Sequence, residues 1–295
     1  MNLCQPSEIR RLMEEAGIRF RQEYGQNFLT DPSVPARIAE ACAEEAESFV
    51  LEIGPGIGSL TRELAERYAR VVAVEIDGGL IPVLEKTVGS YGNLTVLHED
   101  AMKTDLGELV RTYGEGRRAV VCANLPYYIT TPILMRLLES EAGFSSLTVM
   151  VQSEVAERLT AGPGERAYGA ITAVLGYYGR ARRLFRVPAG CFLPVPKVDS
   201  AVIRVDLYPE RPFRPQSEKL FFGSIRAAFG QRRKTLLNAL GSMGLPLTKE
   251  ALSAAIEAAG QSPNVRGERL STADFVRLSD ALHTAMQQNS VVPGT

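Results

Sequence analysis

The sequence predicts an α/β fold with a parallel sheet, followed by a small C-terminal domain that is entirely helical. Over the first two-thirds of the chain, short apolar runs alternate with segments of helical spacing, which is typical of parallel sheets with right-handed crossovers. Residues 209–216 then hold three prolines in eight positions, the composition of a linker. We therefore expect one domain at residues 1–208 and a second at residues 209–295.

The first part of the sheet is predicted from two strand–helix pairs. Residues 49–54 form a short apolar run closed by glycine, and residues 59–68 follow with helical spacing. Residues 70–77 predict the second strand, and residues 80–88 predict the second helix. Pro82 falls in the first turn of that helix, where proline is tolerated because the amide hydrogen that it lacks has no helical partner there.

The rest of the sheet follows the same pattern. Residues 94–100 and 118–124 predict the third and fourth strands, residues 132–140 a helix, and residues 146–152 the fifth strand. Residues 191–208 predict a loop bounded by prolines and then one more strand. Beyond the linker, the spacing predicts helices at residues 217–229, 232–242, 248–259 and 271–287. Ligands of parallel sheets bind beyond the carboxyl ends of the strands, so the last residues of each strand are the candidates for a site.

Composition restricts the class of protein. The chain has 295 residues, of which 45% are hydrophobic and 23% charged, as in ordinary globular proteins. No segment approaches the ~18 apolar residues of a membrane span, and the first residues lack the apolar segment of a secretory signal. The four cysteines have no zinc-like or CxxC spacing, so we expect free thiols in a reducing cytoplasm. With only two histidines, a histidine-based metal site or catalytic triad is not expected.

The net charge of −1 conceals a segregation of charge along the chain. Residues 40–47 hold four glutamates and no basic residue, whereas residues 211–240 hold seven basic residues and one acid, a net of +6. Residues 180–187 add four arginines without an acid. Local basic patches, rather than the total charge, indicate contact with nucleic acid.

Three glycines and two acids predict a nucleoside site. The segment LEIGPGIGSLT places Gly54, Gly56 and Gly58 between a strand and a helix. Glycine there lets the backbone turn sharply and approach a ligand closely, although this pattern alone also fits an NAD site or a plain turn. Glu75 ends the second strand and Asp100 the third. Carboxylates at these places can bind the hydroxyls of a ribose and the amino group of an adenine.

Glu52 favours S-adenosyl-L-methionine over NAD, although both contain adenosine. In dinucleotide sites a pyrophosphate lies on the N-terminus of the helix. S-adenosyl-L-methionine has no phosphate and carries a sulfonium cation, which an acid just before the first glycine would suit better. Glu52 occupies that place.

Five segments resemble, in unbroken order, the bacterial 16S rRNA adenine dimethyltransferases. They are YGQNFLTD (24–31), EIGPGIGSLT (52–61), NLPYYITTPIL (124–134), FLPVPKVDSAV (192–202) and FGQRRKTLLNAL (229–240). NLPY is specific to amine methylation, and QRRKTL separates this family from the erythromycin-resistance 23S rRNA methyltransferases. The chain departs from the family at Tyr128, where members often carry Asn.

This resemblance implies a Rossmann-like methyltransferase sheet that uses S-adenosyl-L-methionine. It implies cofactor-binding roles for Asn27, Leu29, Gly54, Gly56, Glu75, Asp100 and Asn124. Asn27 and Leu29 would cover the cofactor, and Asn124 would lie between the cofactor and the target. The family substrate is a pair of adjacent adenosines in the loop of the 3′-terminal hairpin of small-subunit rRNA, each of which receives two methyl groups on N6.

The NLPY segment has a chemical rationale. An exocyclic adenine amine is a poor nucleophile, and two acceptors on its protons would free its lone pair; we interpret these as the Asn124 side-chain oxygen and the Leu125 carbonyl. Pro126 biases Leu125 toward extended conformations. Tyr127 can stack on one face of the base, which is worth about 1–3 kcal/mol, and Phe192 is the candidate for the other face. No strong general base is required, because the methylated nitrogen loses its proton readily to water.

Four basic residues are predicted to contact RNA: Arg226, Arg232, Arg233 and Lys234. The last three follow a glycine and so lie near the N-terminus of a predicted helix. Cations there oppose the helix dipole, which makes a purely structural role less natural, whereas contact with phosphate would offset that cost.

The leading hypothesis is N6,N6-dimethylation of two adjacent adenosines of 16S rRNA, in the 30S subunit or its precursor, by a cytoplasmic monomer. A 23S rRNA methyltransferase of the erythromycin-resistance type is one alternative, against which the basic C-terminal motif argues. A non-catalytic RNA-binding assembly factor is another, although Glu75, Asp100 and Asn124 are all present. A small-molecule amine methyltransferase would leave the basic helical domain unused.

Overall fold

The structure, a computed structural model, divides into two compact units. The residues described are 1–18, 27–231 and 233–290. The first unit consists of Met1–Ala156 and Ala181–Leu207, and the second of Glu157–Arg180 and Tyr208–Thr295. The expected domains, 1–208 and 209–295, differ from these units in the placement of residues 157–180, and the domain boundaries themselves stay a prediction.

The strands within the described residues are β1 (Phe28–Leu29), β2 (Phe49–Ile53), β3 (Arg70–Glu75), β4 (Leu94–His98), β5 (Ala119–Asn124), β6 (Ser146–Gln152), β7 (Gly179–Val187), β8 (Phe192–Leu193) and β9 (Ser200–Leu207). The first unit is built on a sheet in which seven of them have the order β4-β3-β2-β5-β6-β9-β7. Strands β2 to β6 pair in parallel, and β9 runs antiparallel to β6. The α/β fold with a parallel sheet is confirmed, with one antiparallel strand added.

Helices pack around this sheet and bury it. They are α1 (Pro6–Glu15), α2 (Ser33–Cys42), α3 (Ser59–Arg67), α4 (Ile81–Val88), α5 (Leu106–Gly114), α6 (Thr130–Glu139) and the start of α7 (Ser153–Thr160). Strands β2 and β5 are buried along almost their whole length, which explains their continuous apolar sequence, because a parallel sheet is covered on both faces. Pro82 lies in the first turn of α4, as expected.

The second unit has its own core of helices. They are the end of α7, α8 (Ala170–Tyr178), α9 (Glu218–Gly230), α10 (Leu236–Leu240), α11 (Lys249–Ala258) and α12 (Thr272–Ser290). Phe221, Phe275 and Leu278 are completely buried in this core. None of the helices within the described ranges is long and apolar enough to cross a membrane.

Residues 153–187, for which no element was predicted, form α7, α8 and β7. Helix α8 is apolar on nearly all sides and packs in the core of the second unit, so it lacks the one-sided spacing that reveals a helix at the surface. Strand β7 is an edge strand whose four arginines dominate its composition. The helix expected at 232–242 is shorter, since α10 begins only at Leu236.

Candidate active site

The carboxyl ends of β2 to β5 surround a cleft in the first unit. The strand registers place Ile53 beside Ala123 and Glu75 beside His98, so the residues that follow these strands meet at one edge of the sheet. The cleft contains about 1040 Å³ of empty space, including space open to solvent. Its lining includes Asn27, Leu29, Glu52, Gly54, Gly56, Glu75, Asp100, Met102, Asn124, Leu125, Pro126, Tyr127, Tyr128, Ile129 and Ile133. All seven residues expected to bind the cofactor are therefore brought together.

The glycine loop has a backbone that other residues would strain. Gly56 and Gly58 adopt positive φ angles of 61° and 90°, which side chains rarely tolerate. A Cβ atom at Gly56 would lie 3.3 Å from the Phe28 ring, and one at Gly58 would lie 2.9 Å from Val88. Glycine is thus required both by conformation and by the close approach of neighbouring side chains.

Phe28 is held over the glycine loop by the N-terminal helix. Ile9 and Leu12 of α1 are buried in one cluster with Phe28 and Ile57. An ion pair of 2.6 Å between Glu15 and Lys86 also joins α1 to α4. The segment that carries Asn27 and Leu29 is therefore positioned by packing from outside the glycine motif.

Glu75 is oriented by two backbone amides at the end of β3. Its Oε2 accepts a hydrogen bond from the Gly56 amide at 3.2 Å, and its Oε1 accepts one from the Asp77 amide at 2.8 Å. Burial raises the pKa of Glu75 above its ordinary value, while these two hydrogen bonds act in the opposite direction. Each carboxylate oxygen has further lone pairs, so the group can still accept from the hydroxyls of a ribose.

Glu52 is the most deeply buried acid that lines the cleft, with 1% of its surface exposed. Burial raises its pKa to about 8; the nearby Thr61 hydroxyl acts in the opposite direction, and the negative charge of Glu75 adds to the rise. Its Oε2 has no hydrogen-bond partner among the described residues. A buried acceptor without a partner is costly, which fits a site that receives a cation or a donor from a ligand.

Asp100 lies in a tight turn after β4. Its Oδ1 accepts from the Met102 amide at 2.9 Å, and Lys103 Nζ lies 3.7 Å from its Oδ2. The turn is closed by the Lys103 and Thr104 amides, which donate to the Asp100 carbonyl at 2.7 and 2.9 Å. The carboxylate is thus fixed at the rim of the cleft, where an adenine amino group could donate to it.

The side chain of Asn124 is oriented by the segment that covers the cleft. Its Nδ2 donates to the Asn27 carbonyl at 3.3 Å. A carbonyl can only accept, so the amide nitrogen must face it and the amide oxygen points elsewhere. None of the described residues donates to that oxygen, which keeps it available as an acceptor for an incoming amine.

The backbone after Asn124 offers a second acceptor. The Pro126 carbonyl accepts from the Thr130 hydroxyl at 3.0 Å and from the Ile129 amide at 3.2 Å. The Leu125 carbonyl, in contrast, has no donor among the described residues, while the Leu125 amide donates to the Met150 carbonyl at 3.2 Å. This arrangement supports the interpretation of Leu125, rather than Pro126, as the second acceptor.

The two tyrosines of NLPYY differ in their surroundings. The Tyr127 hydroxyl lies 2.7 Å from Ser200 Oγ, and burial raises the pKa of Tyr127. Ser200 begins β9 beside the end of β6, so this contact fixes the ring at the same edge of the sheet. Tyr128 also lines the cleft but is 58% exposed. The ring of Tyr127 is thus held in place by its contact with Ser200, whereas Tyr128 lies at the opening of the cleft.

Phe192 is not brought to the cleft. It pairs with Leu29 between β8 and β1, is only 2% exposed, and packs in the core of the first unit. A ring in this position cannot stack on a base without leaving the core. The sequence pattern did not reveal this burial because it depends on the pairing of two strands that are far apart in the chain.

The basic residues expected to contact RNA lie in the second unit. Arg226, Arg233 and Lys234 are exposed, and Arg232 lies outside the described residues. Arg233 and Lys234 immediately precede α10, as their place after the glycine predicted. These side chains are available to a ligand at that end of the unit.

Two further arginines, Arg266 and Arg269, were not predicted. Both are exposed on a segment that packs against α9 and α10. The amide of Leu236 donates to the Val265 carbonyl at 2.7 Å, and a Cβ atom at Gly267 would lie 2.5 Å from Ala228. Arg266 and Arg269 therefore extend the basic surface of Arg226, Arg233 and Lys234. The sequence did not predict this, because only folding brings the two segments together.

Most arginines of β7 already have partners. Arg182 and Arg186 form ion pairs with Asp206 and Asp199, and Arg180 lies 3.3 Å from the Tyr208 hydroxyl. Their positive charge is thus partly neutralised within the protein. The excess charge of residues 180–187 in the sequence therefore overstates the surface that is free for RNA.

Together, the sheet, the glycine loop and the two strand-end acids define a Rossmann-like methyltransferase. The sequence profile of the ribosomal RNA adenine dimethylase family matches residues 17–283. The chain therefore belongs to that family and is an rRNA methyltransferase.

Relatives match this chain along nearly its whole length. It is 43% identical over 289 residues to "Ribosomal RNA small subunit methyltransferase A" of Shouchella clausii, covering 97% of this chain and 98% of the relative. It is 44% identical over 283 residues to the protein of the same name from Ligilactobacillus salivarius, covering 95% and 96%.

Two solved structures have a similar fold. A dimethyladenosine transferase from Plasmodium falciparum gives a TM-score of 0.70 at 25% identity, covering 85% of this chain and 95% of that one. The 23S rRNA methyltransferase ErmE gives a TM-score of 0.68 at 26% identity, covering 87% and 99%. The fold alone thus does not separate the two kinds of methyltransferase.

Proposed function

We propose that this protein transfers methyl groups from S-adenosyl-L-methionine to N6 of two adjacent adenosines in the 3′-terminal hairpin loop of 16S rRNA. Each adenosine receives two methyl groups, as a step in the biogenesis of the small ribosomal subunit. The observation that carries the proposal is the paired acceptors at the cleft, because the Asn124 side-chain oxygen and the Leu125 carbonyl both lack a donor among the described residues.

The cleft supports S-adenosyl-L-methionine as the cofactor. Glu75 offers an oriented carboxylate for the ribose hydroxyls, and Asp100 offers one for the adenine amine. Glu52, buried and with an unpaired oxygen, suits a positively charged ligand. The tight glycine loop lets the backbone approach closely at Gly54 and Gly56. When bound, this cofactor supplies an electrophilic methyl group on a sulfonium.

Asn124 at the end of β5 and the residues after it would make the target amine a better nucleophile. In the first transfer, two acceptors on the two amine protons favour a pyramidal nitrogen, whose lone pair is then free to attack; in the second transfer the monomethylated amine has one proton left for one of these acceptors. The ring of Tyr127, held by Ser200, would stack on the adenine. As the new carbon–nitrogen bond forms, the bond between the methyl carbon and sulfur would break and leave a neutral thioether; the cationic nitrogen then releases its proton to water. Catalysis then rests mainly on proximity and alignment of the amine with the methyl group.

An adenine that enters this cleft must first leave its stack. That cost is lowest for a base in a single-stranded loop, which agrees with a hairpin loop as the substrate. Arg226, Arg233 and Lys234, together with Arg266, would contact phosphates of the rRNA. We further propose that the protein acts as a monomer in the cytoplasm, on the 30S subunit or its precursor.

Methylation of 23S rRNA is the main alternative. The relatives named for the small subunit are 43–44% identical to this chain over nearly its whole length, whereas the structure named for 23S rRNA is 26% identical. This difference favours the small subunit. The presence of Glu75, Asp100 and Asn124 in one cleft argues against a non-catalytic assembly factor.

A map of methyl groups tests the proposal. Purified protein and S-adenosyl-L-methionine would be incubated separately with undermethylated 30S subunits and with 23S rRNA, and the nucleosides would be located by mass spectrometry. We expect dimethyladenosine at two adjacent positions of the 3′-terminal hairpin of 16S rRNA. Methyl groups confined to 23S rRNA, or no methylation of either RNA, would contradict it.

A further inference from the structure

The side chain of Arg136 connects helix α6 to the turn that carries Asp100. The side chain lies on α6, and its Nε donates to the Ala101 carbonyl at 3.1 Å. Its Nη2 donates to the Thr104 carbonyl at 2.5 Å. Both acceptors belong to the turn that carries Asp100, so one guanidinium spans the two ends of that turn.

The turn of Asp100 is otherwise held mainly by its own atoms. The Thr104 hydroxyl donates to Glu99 and to the Asp100 carbonyl, and the Met102 amide donates to the Asp100 side chain. Apart from the Glu99 amide, which donates to the Glu75 carbonyl of β3 at 3.0 Å, these bonds stay within the turn. Among the residues that the structure describes, Arg136 therefore supplies the hydrogen bonds that attach this turn to a helix.

Helix α6 is equally connected to the other side of the cleft. It begins directly after NLPYYI, and the Thr130 hydroxyl donates to the Pro126 carbonyl at 3.0 Å. Ile133, about one turn before Arg136, and Ile129, at the start of the helix, both line the cleft. The same helix thus carries the end of the Asn124 segment and the anchor of the Asp100 turn.

We propose that Arg136 is a positioning residue that fixes the distance between the Asp100 turn and the segment that starts at Asn124. This inference rests on the proposed function, in which Asp100 accepts from the adenine amine of the cofactor and Asn124 accepts from the target amine. Arginine suits the task because its planar guanidinium presents several donors in a fixed geometry. Hydrogen bonds from a charged donor are also stronger than neutral ones.

The proposal is tested by measuring how well the protein recognises the adenine amine of a bound ligand, and not by measuring methylation. Calorimetry would measure the binding of S-adenosylhomocysteine and of S-inosylhomocysteine, in which a carbonyl replaces that amine. Wild-type protein should prefer the adenosyl compound, because Asp100 cannot accept from a carbonyl. Arg136→Met removes the donors but keeps an extended side chain, and it should weaken binding of the adenosyl compound about tenfold. Binding of the inosyl compound should change much less, so the preference shrinks.

Two further variants sharpen the comparison. Arg62→Met is the matched control, because Arg62 is also half-buried and also donates to a backbone carbonyl, that of Met1 at 2.8 Å, but has no hydrogen bond to the Asp100 turn. It should keep the wild-type preference. Arg136→Lys retains a charged donor that can reach one carbonyl and should give an intermediate preference.

The outcomes separate this inference from the function on which it rests. An Arg136→Met or Arg136→Lys protein with the full wild-type preference for the adenosyl compound would overturn the positioning role and leave the proposed function intact. Wild-type protein that bound neither compound would overturn both. A preference that fell equally in Arg62→Met would also count against a specific role for Arg136.

Discussion

Replacing Glu52 with glutamine is expected to stabilise the ligand-free protein at neutral and alkaline pH. The carboxyl group is 1% exposed, and its Oε2 has no hydrogen-bond partner among the described residues. Burial raises its pKa to about 8, so the native protein holds a proton there at pH 7. Glutamine has nearly the same shape and does not ionise, so it avoids the cost of the buried acid.

The sign and size of the effect follow from proton linkage. An exposed glutamate in the unfolded chain titrates near 4.5, against about 8 in the native protein. Between these values the native state keeps a proton that the unfolded state has released, so the free energy of unfolding falls as pH rises. Because one pKa unit corresponds to about 1.36 kcal/mol, burial of Glu52 lowers the free energy of unfolding by at most about 5 kcal/mol above pH 8. It does not lower that free energy below pH 4.5.

Urea unfolding at pH 5, 7 and 9, followed by circular dichroism, measures this effect. The stability advantage of Glu52→Gln over wild type should grow from pH 5 to pH 9 by a few kcal/mol. Glu47→Gln, which changes an exposed glutamate of the same unit, should show no such growth. An advantage that stayed constant across the three pH values would show that the pKa of Glu52 is not raised by burial. The variant should also bind S-adenosyl-L-methionine more weakly, because it cannot become an anion beside the sulfonium.

Variants at three other places test the roles of Tyr127, of Phe192 and of the basic residues before α10. Tyr127→Phe keeps the ring and should retain most methylation. Tyr127→Ala loses about 1–3 kcal/mol of stacking, so the KM for RNA should rise by roughly 5- to 150-fold; equal activities of the two variants would exclude stacking. Phe192→Leu should leave methylation nearly unchanged, because the ring packs in the core; loss of activity at unchanged stability would instead support stacking on the base. Arg233→Ala combined with Lys234→Ala should lower the salt dependence of RNA binding, by about 0.7–0.9 in the log–log slope per lost phosphate contact. An unchanged slope would place RNA elsewhere.

The sequence predicted those residues of the cleft that lie at the ends of strands. Gly54, Glu75, Asp100 and Asn124 each follow or end a strand of the parallel sheet, and the sheet brings strand ends to one edge. The positions of Gly54, Glu75 and Asp100 in the sequence were therefore enough to predict one site, whereas the role of Asn124 was expected from the family resemblance. The covering residue Asn27 was expected only from the family resemblance, because no local pattern connects it to the sheet.

Contacts between distant segments were not predictable in the same way. Phe192 is buried by the pairing of β8 with β1, and Arg136 reaches the Asp100 turn across 32–35 residues of chain. The fully apolar α8 also lacked a recognisable spacing because it is buried on most sides. In each of these cases the tertiary fold, rather than the local sequence, determines the environment of the residue.

Single-turnover methylation of undermethylated 30S subunits by Asn124→Ala, with binding of S-adenosylhomocysteine measured on the same preparation, tests whether Asn124 accepts from the target amine. We expect formation of dimethyladenosine in 16S rRNA to fall at least about 100-fold, while the binding of S-adenosylhomocysteine changes far less. Methylation by Asn124→Ala at the wild-type rate would show that the Asn124 side chain is not needed as an acceptor.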